Sequence, residues 1–430
     1  MASRLTTLIV VSIVAGTFIA GIMTGAQRDD DGPVDLIVYN GKVYTGQGHD
    51  FAEAVAVRGN TIVRVGSNRE IKRLRRPQTT YIDAHGGAVV PGFNDAHVHF
   101  VEGSLQLAES AADEAAAAPT DREHRLAALR AGIHTANALG ITSVHNAGTT
   151  PDEIELWNDL RDANELTLRT YHALSAPVSV TEPDLESLEA TRRRFGDDPM
   201  FKTGSIEIVP EETTPARRPD QQKRTTQERL NRVVTRLDMR GWQVWIRAED
   251  ENALHAALDA LEAAVRANPV PDRGRRHRIE YSGSLTPEEA HRMTSLGIVV
   301  SLPVLDDGSD TASWSAIASV GGNLALGSDW PAVPLDPRVR LRRIVERAAD
   351  TAAGGPSDPA GSLLVAIDAY TIGGAYASFD EQRKGALAGG MLADIVVLSA
   401  DIFEMPPERL PDVHVEKTIV DGEVVYSRAD

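Results

Sequence analysis

Two histidines separated by a single residue, His97 and His99, are the side chains with the clearest capacity for chemistry. They follow the apolar stretch from Gly87 to Phe93, which is typical of a buried strand. Alternate residues of a strand point the same way, so the two imidazoles face one side, where they can chelate a metal. The C-terminal ends of barrel strands carry active sites. The spacing therefore predicts a metal site.

Any such metal must be held by nitrogen and oxygen ligands, because the chain of 430 residues contains no cysteine. Its formal net charge of −18 makes nucleic acid and anionic membrane surfaces poor partners, since phosphate groups repel acidic proteins. Hydrophobic residues make up 42% and charged residues 25%, which is enough apolar material for a large folded core. We therefore expect a folded protein with a small-molecule substrate and no nucleic-acid partner.

The first 33 residues have the pattern of an export signal. Arg4 precedes an apolar and small-residue run, residues 5–26, which ends at Gln27-Arg28-Asp29-Asp30-Asp31. The run is near the roughly 20 residues of a spanning helix, which allows a membrane anchor, whereas Thr24-Gly25-Ala26 offers small residues for cleavage. Both alternatives predict that the rest of the chain lies outside the cytoplasm, either secreted or held at the membrane by this segment alone.

Short β-strands separated by turn residues are predicted at both ends of the remaining chain, over residues 34–90 and 385–430. The dipeptides Asn40-Gly41, Gly59-Asn60 and Asp421-Gly422 each favour a tight hairpin turn. Two isolated sets of strands cannot each bury an apolar face. We therefore expect them to pair into one small composite β-sandwich.

Between these segments, strand-like and helix-like stretches alternate, which predicts βα units and a parallel sheet. There are eight candidate strands, the number that a closed barrel needs. The candidates are Gly87 to Phe93, Ile141 to His145, Leu166 to Ala173, Phe201 to Val209, Trp242 to Arg247, His277 to Tyr281, Gly297 to Leu302 and Asn323 to Gly327. The predicted fold class is α/β, a (β/α)₈ TIM barrel over residues 91–384 beside the composite sandwich.

Several motifs resemble those of one enzyme superfamily. They are Pro91-Gly92-Phe93-Asn94-Asp95-Ala96-His97-Val98-His99, Arg276 to Glu280, Leu326-Gly327-Ser328-Asp329-Trp330-Pro331 and Gly389 to Leu398. In these motifs the chain is similar to the amidohydrolase superfamily, and within it to the branch that includes N-substituted formamide deformylase. The resemblance covers nearly everything after the export segment. It implies a metal-dependent hydrolase that cleaves non-peptide C–N bonds of the amide or formamide type.

The resemblance also implies a ligand set. Carried over residue by residue, it makes His97 and His99 metal ligands and gives Asp329 the roles of ligand and general base. Lys202 occupies the position of a carboxylated bridging lysine on strand four, although it can equally be an ordinary lysine at the barrel rim. The implied cofactor is one divalent metal, with zinc as the first candidate.

Two residues depart from the family's pattern. Arg247 on strand five and Tyr281 on strand six stand where the family has histidine ligands. Arginine has no free lone pair for a metal, and at about 5 Å with an effective dielectric of about 20 it repels a dication by roughly 6 to 7 kcal/mol. Tyrosine binds a metal as phenolate only at a cost, because its pKa is about 10. A full binuclear centre is therefore not expected.

Two hypotheses about function stay open. In the first, the remaining ligands hold one metal and the chain is an active hydrolase. In the second, it is a catalytically silent binding or scaffold protein without a metal, in which Arg247 pairs with Asp329 or Glu280 and Tyr281 supplies a hydrogen bond. His145, at the end of the second candidate strand, is a further residue that can face the site. Assembly into a homo-oligomer is left open.

Overall fold

The computed structural model describes residues 32–429, with gaps at 47, 112–121, 197, 210–218, 282, 304–310 and 351–358. The predicted export segment lies outside these residues, so delivery of the protein outside the cytoplasm stays a prediction. Among the helices in the described part of the chain, none is both long enough and apolar enough to cross a membrane.

The N-terminal segment contributes strands to two different sheets. Its elements are β1 (Leu36–Tyr39), β2 (Lys42–Tyr44), β3 (Phe51–Ala52), β4 (Ala54–Arg58), β5 (Thr61–Gly66), α1 (Asn68–Lys72), β6 (Thr80–Asp83) and β7 (Ala88–Pro91). One sheet has the order β5-β4-β1-β6. The hairpin predicted at Asn40-Gly41 is wrong, because β1 pairs with β4 and β6 whereas β2 pairs with β3 and β7. This turn instead joins the two sheets.

Eight parallel strands form the barrel. They are β8 (Phe93–Val98), β9 (Ile141–Thr149), β10 (Arg169–Pro177), β11 (Phe201–Val209), β12 (Gln243–Ala248), β13 (Arg278–Tyr281), β14 (Val299–Pro303) and β15 (Asn323–Gly327). The strands follow one another around the barrel in chain order. The predicted first strand is corrected: Gly92 separates β7 of the sandwich from β8 of the barrel. A Cβ at Gly92 would lie 2.0 Å from Thr142 Oγ1, so only glycine fits this crossing.

Helices connect the barrel strands and cover them. They are α2 (Phe100–Ala111), α3 (Arg122–Ala138), α4 (Pro151–Asp162), α5 (Glu182–Phe195), α6 (Pro219–Met239), α7 (Glu251–Ala267), α8 (Pro287–Ser295), α9 (Thr311–Ser319), α10 (Pro337–Asp350), α11 (Pro359–Ala369) and α12 (Ile372–Ala377). Capping boxes define the starts of three of them, where Thr150, Thr181 and Thr286 accept from the backbone three residues on. The largest apolar core lies between these helices and the barrel wall.

The C-terminal segment completes the second sheet of the sandwich. It contains β16 (Ile395–Leu398), a 3₁₀ helix (Pro407–Asp412), β17 (Val415–Val420) and β18 (Glu423–Ser427). The sheet order is β18-β17-β16-β7-β2-β3, so the two ends of the described chain meet where β16 pairs with β7. Buried side chains of both sheets, including Val55 and Ile395, share one apolar core. This confirms the composite sandwich, and antiparallel pairing confirms the other two predicted hairpins.

Candidate metal centre

The structure brings His97, His99 and Asp329 together at the C-terminal ends of β8 and β15. Oδ1 of Asp329 lies 3.4 Å from His97 Nε2 and 3.6 Å from His99 Nε2. Donors bound to one tetrahedral metal at about 2.0–2.1 Å are roughly 3.3 Å apart. The spacing of these atoms is therefore that of ligands around a single ion, and the donor types suit zinc.

Backbone contacts between β8 and β15 hold these ligands in place. Asp329 N donates to His97 O at 2.8 Å, and His99 N donates to Trp330 O at 2.8 Å. A Cβ at Gly327 would lie 2.6 Å from His97 Cβ, so the two strands can approach this closely only with glycine there. Asp329 itself has a φ of 54°, in the left-handed region that non-glycine residues rarely adopt. Strain of this kind is typical of functional sites.

A buried carboxylate behind the ligands, Asp95, ties the same two segments together. Its Oδ1 accepts from Ser328 N at 2.7 Å and from His97 N at 3.2 Å. Burial raises the pKa of Asp95, although the charge of Arg340 and these hydrogen bonds oppose the shift. Asp95 thus orients the backbone next to both kinds of ligand without belonging to the cluster.

The second nitrogen of the His97 ring contacts Glu280 on β13. His97 Nδ1 lies 3.0 Å from Glu280 Oε2, and both side chains are almost fully buried. The other carboxylate oxygen, Oε1, lies 2.8 Å from Nη2 of Arg278, whose side chain has no exposed surface. Burial alone would raise the pKa of Glu280, but the charges of Arg278 and His97 outweigh it and lower that pKa. Glu280 is therefore a carboxylate held between two cations or hydrogen-bond donors.

The two histidine ligands have opposite pKa shifts. Burial acts to lower the pKa of His97, but the charge of Glu280 and the contacts with Asp329 and Glu280 outweigh it and raise that pKa to about 10. For His99, burial and the charge of His97 lower the pKa to about 4. His99 thus presents a neutral imidazole, whereas His97 must release a proton when its Nε2 binds a metal.

Glu207 at the end of β11 is a charged neighbour that the sequence analysis missed. Its side chain is almost fully buried, and burial raises its pKa while the charge of His97 opposes the shift. The sequence does carry a signal for it. Glu207 lies between the buried residues Ile206 and Ile208, and a lone acid in such a strand points to the opposite face. In a barrel this face is the interior.

Lys202 is not part of the centre. It lies at the N-terminal end of β11, where its Nζ donates to Ser378 O at 2.8 Å and contacts Asp380 Oδ1 at 3.0 Å. Glu207 occupies the other end of the same strand. The structure therefore corrects the prediction that Lys202 is a bridging metal ligand, because its ammonium group is already bound at the opposite end of the barrel.

Arg247 and Tyr281 also differ from their predicted roles. Arg247 lies at the end of β12 with its side chain 44% exposed, and its ion pair within the described residues is with Glu249, at 3.7 Å. The predicted ion pair with Asp329 or Glu280 is not formed, although the charge of Arg247 acts on Asp329 and His99. Tyr281 packs in the apolar core between the barrel and the helices. Its neighbour Glu280, not Tyr281, is the residue of β13 that faces the ligands.

His145 faces the barrel interior but is not part of the ligand cluster. It is completely buried, and its Nδ1 lies 2.9 Å from Nη1 of Arg278. Burial and the charge of Arg278 hold its pKa well below the usual range. The prediction that His145 binds substrate or replaces a metal is therefore corrected, since its ring is buried against Arg278. The role of Arg278 itself was missed, although alternation on β13 places it on the same face as Glu280.

The sequence profile of the amidohydrolase family matches residues 105–426, which is most of the chain. The chain belongs to the amidohydrolase family. This confirms the family predicted from the motifs. The matched region begins after His97 and His99, so membership does not depend on the histidine pair of this amidohydrolase.

Three relatives illustrate the range of similarity. YtcJ of Bacillus subtilis is 30% identical to this amidohydrolase over an alignment of 220 positions, which covers 47% of the chain and 41% of YtcJ. Protein LONG AFTER FAR-RED 3 of Arabidopsis thaliana is 26% identical over an alignment 543 positions long, which covers 91% of each protein. N-substituted formamide deformylase of Arthrobacter pascens is 23% identical over an alignment of 342 positions, which covers 72% of the chain and 62% of the deformylase. The chain thus spans less than two thirds of the first and third relatives.

Solved structures share the fold at low sequence identity. An adenosine deaminase from Xanthomonas campestris with bound zinc gives a TM-score of 0.68 at 18% identity, over 92% of this chain and 94% of that one. Atrazine chlorohydrolase TrzN from Arthrobacter aurescens, complexed with zinc, gives 0.63 at 15% identity, over 91% and 95%. The likeness confirms the predicted architecture of a TIM barrel with an added sandwich.

Proposed function

We propose that this amidohydrolase cleaves non-peptide C–N bonds of the amide or formamide type in a small molecule, with one divalent metal, zinc first among the candidates. The observation that carries the proposal is the donor spacing around Asp329, 3.4 Å to His97 Nε2 and 3.6 Å to His99 Nε2. Three protein ligands with one open position are a working arrangement for catalysis. The zinc named with two structural neighbours and the deformylase among the relatives support it.

The metal would be held by His97 Nε2, His99 Nε2 and Asp329 Oδ1. Bound there, it would polarise the carbonyl oxygen of the substrate and lower the pKa of a water molecule. The neutral imidazole of His99 needs no proton release to act as a ligand, because its pKa is already lowered to about 4. The same centre lies at the strand ends where barrel enzymes bind substrates.

Asp329 would move the proton. Contacts with His97 outweigh burial and lower the pKa of Asp329, so its carboxylate is ionised at neutral pH and can accept a proton. Oδ1 faces the imidazoles, which leaves Oδ2 to take the proton of the attacking water and pass it to the departing nitrogen. The water oxygen bonds to the carbonyl carbon, the C–N bond breaks, and a carboxylic acid and an amine result.

Two guanidinium groups argue for one metal instead of two. The resemblance implies histidines at the ends of the fifth and sixth barrel strands as ligands of a second ion. Here Arg247 lies near the end of β12, and β13 places Arg278 and its partner Glu280 inside the barrel. A second dication would meet these cations at close range, and Coulomb repulsion would oppose its binding.

Metal analysis of protein purified without chelators tests the proposal. We expect close to one zinc, manganese or iron ion per chain, lost in His97→Ala. His255→Ala is the matched control, because Glu251, His255 and Glu289 are the second group of candidate ligands in the described part of the chain and lie outside the barrel. Protein purified without any metal would favour the catalytically silent binding protein. Loss of metal only in His255→Ala would place the metal site at Glu251, His255 and Glu289.

Activity is measured on a panel of N-formyl amines and N-acyl amides, with release of the amine as the readout. The metal-loaded protein should hydrolyse at least one of these classes. Asp329→Asn should reduce kcat by about 100-fold or more, since a general base contributes on that order. A stoichiometrically loaded protein without activity on any amide would contradict the proposed reaction while leaving the metal centre in place.

A further inference from the structure

We infer that Glu280, held by Arg278, is a positioning residue that fixes the ring of His97 with Nε2 directed at the metal. The inference rests on the proposed metal centre and adds residues of β13 to it. It concerns a connection across the barrel interior, because His97 belongs to the first barrel strand and both partners belong to the sixth.

Each nitrogen of the His97 ring lies close to a carboxylate oxygen. Nδ1 lies 3.0 Å from Glu280 Oε2, and Nε2 lies 3.4 Å from Asp329 Oδ1. A carboxylate can only accept, so the contact with Glu280 keeps a proton on Nδ1 and leaves the lone pair to Nε2 once the metal replaces the second proton. A histidine ligand commonly donates its other N–H to a carboxylate in this way, which fixes the ring and makes it a stronger ligand.

Glu280 is itself fixed by Arg278. Arg278 Nη2 lies 2.8 Å from Glu280 Oε1 and donates to Ala96 O, the carbonyl just before His97. The guanidinium carbon lies 3.7 Å from the centre of the Trp245 ring, and Arg278 Nη1 lies 2.9 Å from His145 Nδ1. Arg278 therefore holds the carboxylate that contacts the His97 side chain and also the backbone that carries His97. The contacts form a closed ring.

Stability alone gives little reason for this arrangement. Arg278 has no exposed side-chain surface and Glu280 is 7% exposed, and taking two such charges out of water carries a large desolvation penalty. Replacing a buried ion pair by apolar side chains is often neutral or stabilising. A pair kept inside a barrel and directed at a metal ligand is better explained by the geometry it imposes on that ligand.

Zinc affinity measures the inference directly. In competition titrations with a chromophoric chelator, Glu280→Gln should raise the Kd for zinc by about 10- to 100-fold, the usual effect of losing such a partner. Glu289→Gln is the matched control, because Glu289 contacts His255 at 2.9 Å in a similar pair remote from the centre. That variant should bind zinc like the wild type. Should Glu280→Gln fold poorly, Arg278→Met/Glu280→Gln removes both charges and should show the same weakened binding.

A spectroscopic readout separates positioning from a general loss of structure. In zinc-loaded protein with ¹⁵N-labelled histidine, the Nδ1–H resonance of His97 should shift in Glu280→Gln, while the resonances of His172 on β10 stay in place. If neither the zinc affinity nor the Nδ1–H resonance changes in Glu280→Gln, Glu280 has no positioning role, but the metal centre still stands. A wild-type protein that binds no zinc would overturn the metal centre, and the role of Glu280 with it.

Discussion

At the scale of single residues, the balance of charge decides how firmly a dication is held. Three carboxylates, Asp329, Glu280 and Glu207, lie around the ligand histidines, and Arg278 neutralises Glu280 through direct contact at 2.8 Å. Arg247 adds a positive charge near Asp329 and His99, but its side chain is 44% exposed and solvent screens it. We therefore expect Arg247 to weaken metal binding at the proposed centre without preventing it.

Removal of the Arg247 charge should strengthen zinc binding. We expect Arg247→Ala to lower the Kd for zinc by roughly 3- to 10-fold, the size of a screened interaction between a half-exposed charge and the ion. Arg247→Lys keeps the charge and should bind zinc like the wild type. Equal zinc affinity of the alanine and lysine variants would show that this residue does not act on the centre.

Lys384 makes stability depend on pH above neutrality. Burial, together with the charges of Arg169 and Lys202, lowers its pKa to about 8 in spite of Asp380 and Asp394. Between pH 8 and the ordinary pKa of about 10.5, Lys384 binds more protons in the unfolded chain than in the folded one, so its contribution to stability rises with pH. Below pH 8 Lys384 is charged in both states, and the folded protein bears the full cost of burying that charge.

The measurement is the free energy of unfolding in urea for the wild type and for Lys384→Met, which cannot titrate. As the pH rises from 8 to 10.5, the free energy of unfolding of the wild type should increase relative to that of Lys384→Met by up to about 3 kcal/mol. Subtraction removes the contribution of every other group that titrates in this range. A difference that stays constant across the window would refute the assignment.

The residues of the centre were predictable only in part. His97, His99 and Asp329 follow from a two-residue spacing and a motif, and the structure brings them together. Alternation on β13 shows that Arg278 and Glu280 share one face, but it does not show which face points into the barrel. For the same reason both Glu280 and Tyr281 were assigned to the site, whereas only Glu280 lies beside His97 and Tyr281 packs in the apolar core.

At the scale of elements, the site depends on the seam between β8 and β15. Asp329 N donates to His97 O, and Ser328 N donates to Asp95 Oδ1, so the first and last barrel strands are joined at the ligands themselves. Gly327 permits this approach. The sequence shows a glycine before Ser328-Asp329, but the reason for it lies in a contact between strands that are far apart in the chain.

A methyl group at Gly327 should damage the centre and the seam together. The added Cβ of Gly327→Ala would lie 2.6 Å from His97 Cβ and 2.8 Å from His97 N, which forces the backbone to move. We expect weaker zinc binding and a loss of stability on the order of 1–3 kcal/mol. Gly389→Ala is the control, since its Cβ would have its nearest neighbour at 3.4 Å. Calorimetric melting and zinc titration of both variants test this, and a fully stable, zinc-binding Gly327→Ala would contradict it.

At the scale of the whole molecule, a buried ion pair joins the barrel to the composite sandwich. Arg169 on β10 lies 2.7 Å from Asp394, just before β16, and 2.7 Å from Asp421 in the turn between β17 and β18. Arg169 is 1% exposed and Asp394 is 4% exposed, whereas Asp421 is 36% exposed. The C-terminal segment therefore contributes to the stability of the barrel as well as to its own sheet.

The two aspartates should differ in importance. Asp394→Ala leaves the Arg169 charge buried with its main partner removed, and we expect it to cost about 3–5 kcal/mol. Asp421→Ala removes a partly solvated contact and should cost about 1 kcal/mol or less. Urea unfolding of the two variants makes the comparison. Equal losses would mean that Arg169 draws no special stability from Asp394.

The architecture was predictable because turn residues and alternating strand and helix patterns separate the barrel elements. One boundary was not. Ala88–Pro91 and Phe93–Val98 form an almost continuous buried run, and nothing in its composition marks the change of sheet at Gly92. Likewise, Asn40-Gly41 has the residues of a hairpin turn, but the pairing of β1 and β2 is decided by their other neighbours in the two sheets.

Anomalous X-ray diffraction at the zinc absorption edge, from crystals of zinc-loaded protein, tests the central claim most directly. We predict one strong peak, about 2.0–2.2 Å from His97 Nε2, His99 Nε2 and Asp329 Oδ1, with no second peak beside Arg247 or Arg278. A crystal that holds no anomalous scatterer at these three atoms, or one whose only bound ion lies at Glu251, His255 and Glu289, would contradict the account.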